Sequence, residues 1–283
     1  MKLFLLKILL GIAMIIIGHY INASLQPEFI GGGYILLLAT IAVDGGGFAL
    51  NNWDKFKFVT YSKWLSIKGE HIRFSMSYQY RIKVKDKYLL VQNSNPNWNW
   101  YQHVGGKYKI TNDSFKTLKD LEVMSDFKQQ THGIKEGDLA VFVPAKNAVK
   151  FLKWFNSEKE REISHWREFY EELLGGKEEQ ILSGKNFPYV DYRFVKTLRS
   201  PLKRAPAESG WNCWEVLQYD VLDLLPTPKQ KKELEKLLNK GDTNYIKWAD
   251  VKLINNLGYD DRKQKQMYSI GAHTKWVLNL KIS

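Results

Sequence analysis

Residues 3–21 are apolar except for Lys7 and His19, and after the seven polar-leaning residues 22–28 a second apolar run covers 29–50. At about 1.5 Å per residue, helical runs of this length reach across the roughly 30 Å of hydrocarbon in a bilayer. A secretory signal would have a shorter apolar stretch, a small-residue cleavage site and no second run behind it. The pattern therefore predicts a transmembrane helical hairpin over residues 1–54, with helices at about 3–21 and 29–50, followed by a juxtamembrane connector over 55–74. Lys2 precedes the first run and Lys55, Lys57, Lys63 and Lys68 follow the second, whereas the joint has no Lys or Arg. The positive-inside rule then places both ends and the remaining chain in the cytoplasm. The single cysteine, Cys213, agrees with a reducing compartment and excludes a disulfide framework.

The second run carries Gly31-Gly32-Gly33 and, near its end, Asp44-Gly45-Gly46-Gly47. Small residues let helices approach closely in lipid, and an ionisable group at membrane depth is a functional candidate. Asp44 and its glycines thus suggest self-association; the alternative reading puts them at the membrane surface, where the charge is solvated.

The rest of the chain has a different character. Lys2, Lys7, Glu28 and Asp44 cancel within residues 1–50, so the whole formal charge of +12 falls in 51–283. With 44% hydrophobic residues, disorder is excluded. Tyr80, Ile82 and Val84 alternate with Arg81, Lys83 and Lys85, the period of a half-buried strand, and residues 88–91 return after a turn at Asp86-Lys87. Further strands are expected at 139–143, 192–198, 214–222 and 245–251. Helices are expected at 115–121, from 145 onward, up to Leu174 ahead of Gly175-Gly176, and at 229–238, with a closing helix or strand over 273–280. Strands interleaved with helices predict an α/β domain over residues 75–283. The six histidines show no ligand spacing.

The chemistry concentrates at Arg167-Glu168-Phe169-Tyr170-Glu171-Glu172-Leu173-Leu174-Gly175. On a helix, Ile163, Trp166, Tyr170, Leu173 and Leu174 form an apolar stripe, and Glu168, Glu171 and Glu172 share the adjoining polar face. Like charges three and four residues apart repel. Arg167 offsets part of that repulsion; Mg²⁺ would offset more, making the three glutamates candidate metal ligands, with Glu171 and Glu172 catalytic if the chain is a hydrolase. The plain alternative is a solvated acidic face.

This stretch resembles the second half of the Nudix box, with one extra residue before the glycine. Residues 80–91 and Tyr101-Gln102-His103-Val104-Gly105-Gly106 are similar to the Nudix strands and the glycine pair that opens the box. The resemblance covers roughly 75–280 and implies a Nudix-like α/β/α sandwich with a mixed sheet. In an ordinary box the glycine stands fourteen residues before the Arg-Glu pair; here Gly106 and Arg167 are 61 apart. That implies a large insertion at about 107–157, and the box's intermediate glutamate falls at Lys159, between Glu158 and Glu160. A hairpin joined to an interrupted Nudix domain resembles the SMODS-associated NUDIX effectors of bacterial CBASS antiphage systems. The resemblance implies an inner-membrane effector: a partner nucleotidyltransferase makes a cyclic oligonucleotide, the Nudix-like domain binds it, and the hairpins oligomerise to disrupt the membrane. No cofactor would be required, Mg²⁺ being needed only for hydrolysis, and no DNA or RNA polymer is expected as partner.

The residues are compatible with such an anionic ligand. Arg81 and Lys83 open one basic run, and Arg193 and Arg199 belong to another; Trp98, Trp100 and Tyr101 lie beside Gly105-Gly106 and could stack on bases. Basic residues near a membrane also meet anionic lipid, and strand aromatics also fill cores. Two other functions stay open: a membrane-anchored Mg²⁺-dependent pyrophosphohydrolase, and an anchored protein binding anionic lipid or nucleic acid.

Overall fold

The structure, a computed structural model, describes residues 2–21, 25–40, 53–94, 98–125, 137–175, 180–206 and 211–278. The chain divides into two compact units, Met1–Lys63 and Trp64–Ser283.

In the first unit α1 (Lys2–Gly18) packs on α2 (Gln26–Ala39), which has proline in its first turn. The two backbones meet through glycine. A Cβ on Gly33 would stand 2.6 Å from Ile15 Cγ1 and 2.7 Å from the Gly11 carbonyl oxygen. The helical pairing is present, but the transmembrane expectation is corrected: among the described residues no helix is long and apolar enough to cross a membrane. The reason is length. The first helix stops at Gly18, its end tightened by His19 and Tyr20 N–H groups donating to Ile16 and Ile17 carbonyls, and the second ends at Ala39. Helices of 17 and 14 residues reach about 26 and 21 Å, short of the roughly 30 Å needed. The inner-membrane placement built on that hairpin loses its support. Asp44, Gly45, Gly46 and Gly47 lie outside the described residues.

A third helix, α3 (Trp53–Ile67), leads into the second unit. There follow β1 (His71–Arg81), β2 (Lys83–Val84), β3 (Lys87–Gln92), β4 (Tyr101–Lys107), α4 (Phe115–Asp120), β5 (Met124–Ser125), β6 (Ala140–Pro144), α5 (Ala148–Asn156) and α6 (Trp166–Leu173). After them come β7 (Asp191–Arg199), β8 (Lys203–Arg204), β9 (Trp214–Leu225), α7 (Pro228–Lys240), β10 (Ile246–Asp250), α8 (Val251–Asn255), the hairpin β11 (Tyr259–Asp260) and β12 (Lys265–Gln266), and α9 (Thr274–Val277). Local chemistry sets several of these ends. Thr227 and Gln230 form a reciprocal capping box at the start of α7, with Pro228 in its first turn. Glu158 and Glu160 adopt left-handed backbone and separate α5 from α6.

The mixed sheet is organised on β1. Parallel β9 lines one edge from Ile72↔Trp214 to Arg81↔Asp223. The other edge is shared end to end by antiparallel β6, from His71↔Pro144, and antiparallel β4, from Ser77↔Lys107. They part at Met76, whose N–H donates to the Leu139 carbonyl and whose carbonyl accepts from the Tyr108 N–H. Beyond β4 lie β3 and β10; beyond β9 lies β7. β1 starts at His71, inside the stretch expected as connector, because its early residues alternate and pair as regularly as its late ones. β6, expected within the insertion, is a full member of the sheet.

Flanked on both edges and covered on both faces, β1 is buried from Ile72 to Tyr80. Ile72, Phe74, Met76, Tyr78 and Tyr80 share the face toward α5 and α6, where Phe74 meets Phe151 at 4.7 Å and Tyr80 meets Phe169 at 5.7 Å between ring centroids. A second core joins Leu90, Tyr101, Ala249, Ile254 and Ile270 around β3, β4 and α8. Phe151→Ala should lower the stability of this unit by about 3–5 kcal/mol, seen as a reduced urea midpoint.

Candidate functional site

The site begins with two residues that lack side chains. Gly105 and Gly106 on β4 lie opposite Gln79 and Tyr78 of β1. Gly105 has φ of +142°, and a Cβ there would strike the Tyr78 carbonyl. A Cβ on Gly106 would overlap the Glu168 carboxylate. Glycine at 106 therefore opens the slot into which α6 lowers its first glutamate.

That alters the orientation of α6. The expected apolar stripe is rotated: Phe169, Leu173 and Glu168 are buried, whereas Tyr170 and Ile163 are 47% and 60% exposed. The carboxylate edge turns inward because the glycine pair leaves room and donors wait there. The Gly105 N–H donates to Glu172 Oε2 at 2.8 Å. Arg167 donates from Nη1 to Glu168 Oε1 at 2.6 Å, from Nε to Glu162 Oε1 at 3.0 Å and from Nη2 to the Lys107 carbonyl at 2.7 Å. Its Nη1 also stands 3.5 Å from Glu171 Oε1. Burial works against the guanidinium charge, but Glu162 and Glu168 outweigh burial and raise its pKa.

Glu162 is the carboxylate that reaches Arg167 from ahead of the helix, and it also accepts the Lys109 N–H at 2.6 Å. The motif position, Lys159, does not do this; Glu158 approaches Arg161 and Glu160 accepts from Thr117 Oγ1. No spacing rule singles out Glu162, because the left-handed residues before it reset the register. The structure thus brings Gly105, Gly106, Glu168, Glu171 and Glu172 together. Among the described residues, however, no group of three or more His, Cys, Asp or Glu is arranged to hold a metal ion. With Glu168 and Glu171 turned to Arg167 and Glu172 to a backbone amide, these carboxylates do not form a fitted Mg²⁺ site.

Beside the N-terminus of α6 runs a network that the sequence did not signal. Tyr108 donates to Asp220 Oδ2 at 2.7 Å, and its oxygen lies 2.9 Å from His165 Nε2. His165 Nδ1 lies 2.9 Å from the Tyr192 hydroxyl. Burial lowers the His165 pKa, with Asp220 opposing it. Because the Tyr108 hydroxyl donates to Asp220, a neutral His165 donates to the Tyr108 oxygen from Nε2 and accepts from Tyr192 on Nδ1. These four residues come from four separate segments, so no local pattern could reveal them.

The expected ligand contacts separate. Arg81 and Arg193 converge on Asp223, at 2.6 and 2.8 Å. Lys83 lies instead over the Tyr88 ring, and Arg199 is held by Gln218 and Asn156. Trp98 stacks on Trp100 at 4.9 Å with 43% of Trp98 exposed, while Tyr101 belongs to the second core and donates to the Asn244 carbonyl.

Two outcomes are expected. Gly106→Ala should cost about 1–3 kcal/mol by crowding Glu168, and adding Glu168→Ala should recover part of that loss in a double-mutant cycle of thermal unfolding. Burial raises the Asp223 carboxyl, yet bonds from Arg81 and Arg193 hold it below its ordinary value of 3.8. Its contribution to stability is therefore present above that value and is lost as pH falls through the lower folded one. Asp223→Asn should narrow the gap to the unaltered protein as melts are taken below about pH 4.

A family model described as the SMODS-associated NUDIX domain matches residues 71–278, which takes in every strand of the second unit together with α6. No curated protein and no solved structure gives a match. Sheet, glycine pair, carboxylate helix and family match all cover the same stretch, and the chain belongs to the family of the SMODS-associated NUDIX domain.

Proposed function

We propose that this chain is the sensing component of an antiphage system. Its Nudix-like domain binds a cyclic oligonucleotide made by a partner nucleotidyltransferase, and occupancy drives copies of the chain to associate. The observation that carries the preference for binding over hydrolysis is the engagement of the box carboxylates. Arg167 draws Glu162, Glu168 and Glu171, and the Gly105 amide takes Glu172. A hydrolase of this kind would need those oxygens for metal and water. The family membership and the +12 charge of the chain support an anionic nucleotide as ligand. Nothing in this reading calls on a membrane span.

The experiment is equilibrium binding of cyclic di- and trinucleotides to the full chain, run beside a Mg²⁺-supplemented assay of nucleoside diphosphate cleavage and light scattering for mass. Sensing predicts saturable micromolar or tighter binding, a rise in mass with ligand, and no turnover. Mg²⁺-dependent turnover that disappears in Glu171→Gln and Glu172→Gln would instead establish a pyrophosphohydrolase.

A further inference from the structure

The central strand buries a polar face. Register places Arg73, Ser75, Ser77, Gln79 and Arg81 together on the side of β1 turned away from α6, and the first four keep only 4–8% exposure. Gln79 lies opposite Gly105, so His103 projects on the same side two positions along β4; Ser77 lies opposite Tyr219 and Arg81 opposite Asp223. Ion pairs close the two ends, Arg73 with Glu215 at 3.2 Å and Arg81 with Asp223 at 2.6 Å.

Between those ends hydrogen-bonding capacity is unused. Among the described residues, Gln79 Oε1 and both ring nitrogens of His103 have no hydrogen-bond partner, although His103 is wholly buried. The covering segment behaves alike. His273 stacks on Tyr219 at 5.9 Å with 8° between the rings, and Thr274, the next residue, has a buried Oγ1 without a partner. Native proteins pair nearly all buried polar groups, because an unmet one loses its hydration without return. Such groups gathered on one face call for a partner from outside the chain.

Their chemistry describes that partner. Burial, with His273 and Arg81 nearby, lowers the His103 pKa to about 3, so its ring is neutral and offers one donor and one acceptor. The Gln79 oxygen accepts, and the Thr274 hydroxyl does both. This set matches the edge of a heterocyclic base, which presents donors and acceptors side by side. At the exposed end, Arg81 and Arg193 bond one carboxylate, Asp223, and Lys196, opposite Val221 on the same side of the sheet, stands near Arg81. Burial and the neighbouring Arg81 both disfavour the Lys196 charge, the condition a phosphate would relieve.

We infer that the nucleotide is read on the sheet face opposite α6, its base edge by Gln79, His103 and Thr274 and its phosphate by Arg81, Arg193 and Lys196. The inference rests on the sensing function proposed above and assigns it a place away from the box carboxylates.

The test is calorimetric titration of the full chain with cyclic di-AMP, cyclic di-GMP and cyclic tri-AMP, paired with thermal melts. Gln79→Met should weaken binding at least about tenfold while raising Tm by about 2–4 °C, since it removes an unpaired oxygen at nearly constant volume. Combined Arg193→Ala and Lys196→Ala, both at the exposed end, should weaken binding by a similar factor with little change in Tm. Lys252→Ala, an exposed lysine paired with Asp261, serves as the control and should bind normally. If the unaltered chain binds one of these ligands and both altered forms bind it equally well, the location is wrong and the sensing function stands. If the unaltered chain binds none of them, both fall. Should Gln79→Met not fold, the Arg193 and Lys196 pair decides alone.

Discussion

A carboxylate can be pressed against the middle of a sheet only where the sheet has no side chain and where a fixed positive charge meets it. Gly106 supplies the first condition and Arg167 the second. Everything distinctive about the α6 region follows. The helix turns its acidic edge inward, Tyr170 is left in solvent, and Glu162 is drawn in from the preceding loop to share the guanidinium. A half-buried arginine with several anionic partners is costly to break, because removing it leaves the inward-turned Glu168 without its countercharge. The same bonds that hold the helix on the sheet thus engage one oxygen of each box carboxylate.

The sheet divides its work between faces. On the α6 side β1 presents Ile72, Phe74, Met76, Tyr78 and Tyr80, a packed aromatic and aliphatic core. On the other side it presents serine, glutamine and arginine, with Gln79 Oε1 unpaired. One face supplies stability by burial, and the other buries polar groups, Gln79 Oε1 among them, without a hydrogen-bond partner.

Much of the domain could be read along the chain. Alternation marked most of the strands, Gly175 marked the end of α6, and Arg167 to Gly175 with Gly105-Gly106 marked the family. What could not be read depends on contacts far apart in sequence. The Tyr108, His165, Asp220 and Tyr192 network joins four segments. Glu162 replaced the motif glutamate because Glu158 and Glu160 take left-handed backbone. The hairpin is the clearest miss: apolar composition set where helices form, but not where they stop. Among the described residues the two helices, of 17 and 14 residues, are too short to span a bilayer.

By itself the sequence determined periodicities, breakers and a charge surplus, since these are properties of neighbours along the chain. It thereby settled that strands and helices alternate and that a glycine pair and an acidic helix exist. Only the tertiary structure decided which edge of that helix faces inward, which arginines share Asp223, and that the back of β1 is polar yet buried. Burial and pairing depend on what arrives from the other side of the sheet, and no residue carries that information about itself.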